Sequence, residues 1–343
     1  MTTLLAGQNQ QATVVSTKDN TLYFDATGSL SNGAGSRMFA GNTGALTNAQ
    51  TRRALVAFDL VGRIPPRSRI VSATLTLSVA QAGLTATPVD LHRVLANWGE
   101  GTSVAGSGQG GGAPATAGDA TWVHRSFPTS QWTSAGGDFQ AAASATISVG
   151  GPGSYTWASN PQIVADVQLW LDQPARNCGW LLRGVETGSN TAKAFETKES
   201  LTPANRPQLV VVYSPPAAGA TPSGTGCTGG GAAALALGAV GLPRVPNPSF
   251  ALGISGGPAG GPAAMVFALD LSPVPLPIGG GCFVYVNPLT LALSLPATPP
   301  SFPLPIPNDT TLLGAELALQ AAAVNLTTFA LATSNALVLL LGT

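Results

Sequence analysis

The fold of the first part of the chain is decided by the stretch SATLTLSV at residues 72–79. Hydroxyl and apolar side chains alternate strictly along it, so that Leu75, Leu77 and Val79 share one face. A period of two is typical of a β-strand that packs one face on a core and leaves the other polar. The stretch therefore predicts an amphipathic strand in an antiparallel sheet.

Similar short stretches recur on both sides of this strand at intervals of roughly ten residues. Strands are predicted at residues 54–58, 70–79, 89–94, 121–127, 145–149, 179–183 and 208–213. A helical repeat of apolar residues is found only at residues 161–172. Many short strands with one helix predict an antiparallel β-sandwich or jelly roll.

The charged residues divide the chain into two parts. Residues 217–343 contain only Arg244, Asp270, Asp309 and Glu316 as charged residues. Prolines and small residues at 215–225 predict an extended linker. We therefore expect a first domain at 1–214 and a second, smaller β-sandwich at 226–343. In the second domain, strands are predicted at 249–255, 263–271, 282–286, 289–295 and 328–341, whereas residues 311–324 suit either a strand or a helix.

Composition excludes several classes of function. Lysine and arginine together number 15, as do aspartate and glutamate, so the formal net charge is zero and no basic face is available to bind nucleic acid. Prolines, glycines and amides interrupt the uncharged stretches, so no membrane span is expected. The first residues have no basic segment followed by an apolar one, so no signal peptide is visible.

The cysteines indicate the compartment. Cys227 and Cys282 both follow glycine-rich turns of the second domain, which predicts a disulfide and an oxidising environment. Two buried free thiols are the alternative. Cys178 is expected to be an unpaired core residue.

Catalytic motifs are weak. Residues 253–257 match G-x-S-x-G, but both histidines lie in the other domain and no helix is expected to follow. Residues 106–111 match G-x-G-x-x-G, again without a following helix. Glu100, in the string WGEG, is the first acid to inspect for glycoside hydrolysis, although a carboxylate that caps a turn is the simpler interpretation.

An ordered series of strings in the first domain carries a family resemblance. They are KDNTL at 18–22, RALVAFD at 53–59, SATLTL at 72–77, LHRV at 91–94, WGEG at 98–101, GWLL at 179–182, FETKE at 195–199 and RPQL at 206–209. In this order they resemble the DNRLRE domain, a β-sandwich of secreted bacterial proteins related to carbohydrate-binding module family 96. Thr21 stands where the name-giving motif has arginine, which puts the role of that arginine in doubt here.

The resemblance implies a noncatalytic jelly roll that docks a protein onto extracellular polysaccharide, including acidic glycans such as alginate. It also implies a structural calcium. Asp19 near the first strand and Glu199 before the last are the expected metal ligands, since calcium takes oxygen ligands. Both are equally explained as surface acids.

Aromatic and cationic side chains are the candidates for a glycan face. Lys18, Arg37, Arg52 and Arg53 are predicted to contact an acidic glycan, and Trp98 is a candidate platform. A solvated rim and a packed tryptophan are the alternatives. Trp170 and Trp180 are expected in the core.

The second domain resembles a small C-terminal β-sandwich of large secreted bacterial proteins that has no assigned activity. The strings TGC at 225–227, PNPSF at 246–250 and PLPIGGGC at 275–282 carry this resemblance. The main functional hypothesis is therefore a carbohydrate-binding protein located outside the cell or at its surface. The alternative is a structural or adhesive protein that self-associates, or binds surface proteins, through the second domain. A polysaccharide-degrading enzyme ranks third.

Overall fold

The computed structural model describes residues 8–44, 51–83, 85–287, 292–295 and 300–343. Over these residues the protein is all-β and antiparallel, with a single α-helix, which confirms the predicted fold class. Within the same ranges no helix has the length and apolar character needed to cross a membrane. The chain divides into two compact units. One comprises Asn9–Ile64 and Arg69–Ser214, and the other includes Pro65–Ser68 and Pro215–Thr343.

The first domain contains fifteen of the described strands. They are β1 (Gln10–Val15), β2 (Lys18–Tyr23), β3 (Leu30–Ser31), β4 (Arg37–Asn42), β5 (Thr51–Ala57), β6 (Arg69–Ala82), β7 (Thr87–Arg93), β8 (Ala113–Pro114), β9 (His124–Ser126), β10 (Ser130–Gln131), β11 (Ala145–Val149), β12 (Gly153–Trp157), β13 (Trp180–Arg183), β14 (Lys193–Glu196) and β15 (Gln208–Ser214). Two short 3₁₀ helices of this domain lie at Pro174–Arg176, before β13, and at Pro203–Asn205, before β15.

Eleven of these strands join in one sheet. Its main path runs β1-β15-β6-β14-β4-β5-β13-β7-β11, with β12 on β6 and β2 on β5. The sheet curls over a common core, consistent with the predicted sandwich, and the core includes Leu75, Leu77 and Val79 from the alternating stretch. The strand predicted at 121–127 is shorter than expected, because His124 N–H bonds to Thr121 Oγ1 and closes a turn there.

Helix α1 (Pro161–Asp172) has the predicted bounds. Asn160 caps it, accepting hydrogen bonds from the backbone N–H groups of Gln162 and Ile163. The helix buries Ile163, Val167 and Trp170 against the sheet core. Trp170 and Trp180 are both buried, as predicted, with ring centroids 4.4 Å apart.

The second domain contains β16 (Gly219–Ser223), β17 (Ala236–Val240), β18 (Ala251–Ser255), β19 (Ala263–Ala268), β20 (Leu271–Gly279), β21 (Cys282–Val286), β22 (Ala292–Leu295), β23 (Ser301–Pro303), β24 (Glu316–Val324) and β25 (Leu331–Leu340), with a 3₁₀ turn at Thr310–Leu312. A five-stranded sheet, β16-β25-β24-β19-β22, and a three-stranded sheet, β17-β18-β23, contribute to one hydrophobic core. Strands β20 and β21 form a separate hairpin.

Three local expectations can be compared with this domain. Within the expected linker 215–225, residues 219–223 form β16, which pairs with β25 and is therefore part of the sheet. Residues 311–324, ambiguous by sequence, contain strand β24. The strand predicted at 289–295 lies outside the described residues at positions 289–291, and 292–295 are β22.

The cysteines are arranged as predicted. Cys227 and Cys282 form a disulfide within the core of the second domain. Cys178 is free and buried.

Candidate functional site

An acidic cluster surrounds Lys198 in the first domain. Asp19, on β2, is 1% exposed, and its Oδ2 accepts hydrogen bonds from the backbone N–H of Lys198 at 2.9 Å and from Ser16 Oγ at 3.3 Å. Asp19 Oδ1 is buried and has no hydrogen-bond partner. A buried carboxylate oxygen in this state is costly, because it has lost water and gained nothing in return.

Glu100 and Glu199 complete the acidic cluster. Glu100 Oε1 accepts from the backbone N–H of Asp19 at 2.9 Å and lies 3.2 Å from Lys198 Nζ. Lys198 Nζ also pairs with Glu199 Oε1, whereas Glu199 Oε2 is buried without a partner. Glu100 and Glu199 thus share one ammonium group, and Asp19 accepts from the backbone N–H of the same lysine.

The pKa shifts in the cluster reflect this imbalance. Burial, followed by the negative charge of Glu199, raises the pKa of Asp19 well above its usual range. Burial also raises the pKa of Glu100. Burial alone would lower the pKa of Lys198, but its bonds to Glu199 and the charge of Glu100 outweigh that effect and raise it. An additional positive charge would therefore stabilise the ionised carboxylates of the cluster.

The sequence analysis selected Asp19 and Glu199 as metal ligands, but it considered Glu100 only as a catalytic acid or a carboxylate that caps a turn. The structure brings all three together through Lys198. Within the described part of the chain, no three His, Cys, Asp or Glu side chains have the geometry of a complete metal site. Two buried carboxylate oxygens of the cluster, Asp19 Oδ1 and Glu199 Oε2, have no hydrogen-bond partner.

Lys18 and Trp98, two of the predicted glycan contacts, contact each other within the first domain. Lys18 Nζ donates to Trp98 O at 2.6 Å and to Asn97 Oδ1 at 2.9 Å, and it lies 4.2 Å from the Trp98 ring centroid. Trp98 is only 3% exposed, and its Nε1 donates to Cys178 O. The ring therefore packs inside the domain, so the packed alternative holds at Trp98 and the exposed platform does not.

The two adjacent arginines are also engaged. Arg52 is buried, with its Nε bonded to Gly110 O and its guanidinium 4.8 Å from the Tyr23 ring centroid. Arg53 makes a bidentate pair with Glu186 at 2.6 and 3.0 Å. Burial would raise the pKa of Glu186, but the hydrogen bonds and charge of Arg53 lower it. Both arginines are thus engaged within the domain, and their contact with a glycan stays a prediction.

Arg37, unlike Arg52, is only half buried, and its hydrogen-bond partner lines a groove. Its Nη1 donates to Gln81 Oε1 at 3.1 Å. Gln81 lies at the end of β6 and lines a groove of about 590 Å³ on the first domain. The groove crosses β4, β6 and β14. We call it the amide groove; its described polar and aromatic lining residues are Phe39, Asn42, Thr43, Gln81, Ser107 and Asn190.

Local backbone features shape the amide groove. Asn190 has a φ of 59°, a left-handed conformation that asparagine tolerates better than most residues. The glycine-rich stretch 106–111, which resembled a phosphate loop, contributes Ser107, Gly108 and Gly110 to the wall. Thr43 Oγ1 is buried without a hydrogen-bond partner. Sequence reasoning missed this groove, because its residues come from four distant segments that share no motif.

The comparisons with known proteins add no relative. No family model matches the chain, and no curated protein matches it.

Proposed function

We propose that the protein is a noncatalytic polysaccharide-binding protein, located outside the cell or at its surface, whose first domain is a DNRLRE-like module. The single observation that carries the proposal is the amide groove. Its lining combines side-chain amides and hydroxyls with one aromatic ring and glycine backbone. The disulfide of the second domain supports an oxidising compartment.

The lining chemistry suits sugars. Each sugar hydroxyl is both a donor and an acceptor, and an amide side chain also offers both. Arg37 holds the Oε1 of Gln81, which orients the amide and leaves its NH₂ group for a ligand. A groove on the face of a sheet also gives a long polymer room to pass.

Gln81→Ala is expected to weaken polysaccharide binding about tenfold, because one oriented hydrogen bond is lost. The measurement is affinity gel electrophoresis of the whole chain through gels containing soluble polysaccharides. Gln173→Ala is the matched control, since Gln173 is also an exposed glutamine whose Oε1 accepts from an arginine, here Arg176 at 3.4 Å. Equal retardation of both variants by every retarding polysaccharide would remove the amide groove as the binding site.

We further propose a calcium ion at the acidic cluster. The donors fit a hard cation in type and charge, because calcium prefers carboxylate oxygens and the cluster has an excess of negative charge. Asp19 Oδ1 and Glu199 Oε2 would hold the ion, with the remaining ligands supplied by water. The ion would stabilise the domain and take no part in sugar recognition.

Calcium is expected to raise the thermal midpoint of the first domain relative to chelator, with a gain of about 2.7 kcal/mol at 100 times Kd. Asp19→Asn should abolish the response, and in chelator it should be no less stable than the wild type, since it removes an uncompensated buried charge. Asp172→Asn makes the same change at an exposed position of α1 and should respond as the wild type does. A similar calcium response in all three proteins would refute the site.

A second candidate function, surface assembly, is favoured by the hairpin β20–β21. Val274 is 74% exposed, Leu276 and Ile278 are also exposed, and residues 271–286 contain no charged side chain. We assign this face to a second copy of the chain, because an uncharged apolar surface is complementary to itself.

Analytical ultracentrifugation should then show a dimer that Leu276→Ser dissociates. A monomer at all concentrations would exclude this role.

A further inference from the structure

We infer that the amide groove selects neutral rather than acidic polysaccharides. The inference rests on the proposed function and names its ligand class. It departs from the sequence-based expectation of an acidic glycan, because the cations on which that expectation depended are committed elsewhere.

The described lining of the amide groove contains no charged residue. Lys193, the first residue of β14, lies between the lining residues Ala192 and Ala194, but strand alternation directs it to the opposite face. There it is buried, and its Nζ donates to Thr85 O at 2.8 Å.

The remaining cations named by sequence do not supply a substitute. Arg52 is buried against Tyr23, and Arg53 pairs with Glu186, which also pairs with Arg183. Lys18 donates to Trp98 O and Asn97 Oδ1.

Arg37 is the one of these cations that lies next to the amide groove. It lines an adjoining hollow that shares Ser107 and Gly108 with the groove. Its guanidinium already donates to Gln81, and its register partner across the strand pair is Glu196. Cross-strand partners place their side chains on the same face of the sheet, so Glu196 reduces the attraction of Arg37 for a uronate.

These contacts set the preference. A uronate carboxylate that leaves water for an uncharged wall loses hydration and gains no charge-assisted hydrogen bond. A neutral hydroxyl exchanges its water hydrogen bonds for amide hydrogen bonds at little net cost. Neutral chains are thus favoured, and their binding should be insensitive to salt.

The test is affinity electrophoresis of the whole chain in two sets of gels, at low and at high salt. One set contains mixed-linkage glucan, xyloglucan or galactomannan, and the other contains alginate or polygalacturonate. We expect retardation by at least one neutral polymer, unchanged by salt and weakened about tenfold in Gln81→Ala. We expect no Gln81-dependent retardation by either acidic polymer.

Two other outcomes are separable. Retardation by an acidic polymer that weakens with salt and is lost in Gln81→Ala or Arg37→Gln would overturn the neutral preference while keeping the binding function. Retardation by no polymer in either set would overturn the proposed function itself. Asn190→Gly tests a second lining amide, because glycine keeps the left-handed backbone of Asn190 and removes only the amide. It should also weaken retardation by the neutral polymer, and unchanged retardation would contradict a ligand contact at Asn190.

Discussion

Asp166→Ala is expected to lower the free energy of unfolding of the first domain by about 3–5 kcal/mol, because it leaves a largely buried guanidinium without its counter-charge. Asp166 lies on α1 and is 1% exposed. Its Oδ1 pairs with Arg93 Nε at 3.1 Å.

The contacts of Asp166 explain the size of this effect. Oδ2 accepts from Trp180 Nε1 at 3.0 Å and from Ser144 Oγ, and Oδ1 also accepts from Gln162 Nε2 at 3.1 Å. Alanine would leave the buried donors of Trp180 and Ser144 unsatisfied, and each unsatisfied donor adds a desolvation cost. The same contacts fix α1 against β13 and the segment before β11.

The measurement is urea denaturation followed by tryptophan fluorescence, which reports only the first domain because all six tryptophans lie there. Asp172→Ala is the control on the same helix, where an exposed aspartate bonds only to Gln168. The control should change stability by about 0.5 kcal/mol or less. A similarly small loss for Asp166→Ala would show that the buried ion pair contributes little.

Asp166 also shows where prediction from sequence ends. The bounds of α1 follow from local signals, namely Asn160 as cap, Pro161 at the first turn and an apolar repeat. The alternation at residues 72–79 likewise predicts β6, since its pattern repeats within one segment. The helical repeat places position 166 beside the apolar face and position 172 opposite it, but no local signal identifies the partners of Asp166 at residues 93, 144 and 180.

The candidate sites have the same limitation. Asp19 and Glu199 were selected by resemblance, but their link through Lys198 and Glu100 depends on distant backbone positions. The sequence did not decide between a platform and a packed ring at Trp98, and it did not predict the burial of Arg52. Neighbouring glycines and polar residues in sequence do not reveal what packs over a side chain. Pairing between remote segments decides burial, and a single sequence carries no direct record of it.

The second large effect concerns the disulfide. Replacing Cys227 and Cys282 together by alanine is expected to destabilise the second domain by ~4 kcal/mol, because the unfolded chain is no longer constrained across 55 positions. The cross-link holds the segment before β17 and the start of β21 beside β25. Cys227 N–H donates to Thr333 O at 2.9 Å, and Cys282 Sγ lies 3.2 Å from Leu331 O.

The loss should be confined to one domain, which makes it measurable. Hydrogen exchange with mass spectrometry should show lower protection in β24 and β25, while the tryptophan fluorescence transition of the first domain stays unchanged. Cys178→Ala is the matched control, since it replaces the third buried cysteine and should affect only the fluorescence transition. Reductant should reproduce the loss in the wild type and have no effect on the double variant. Unchanged protection of β24 and β25 in the double variant would mean that the apolar core of this nearly uncharged domain suffices without the cross-link.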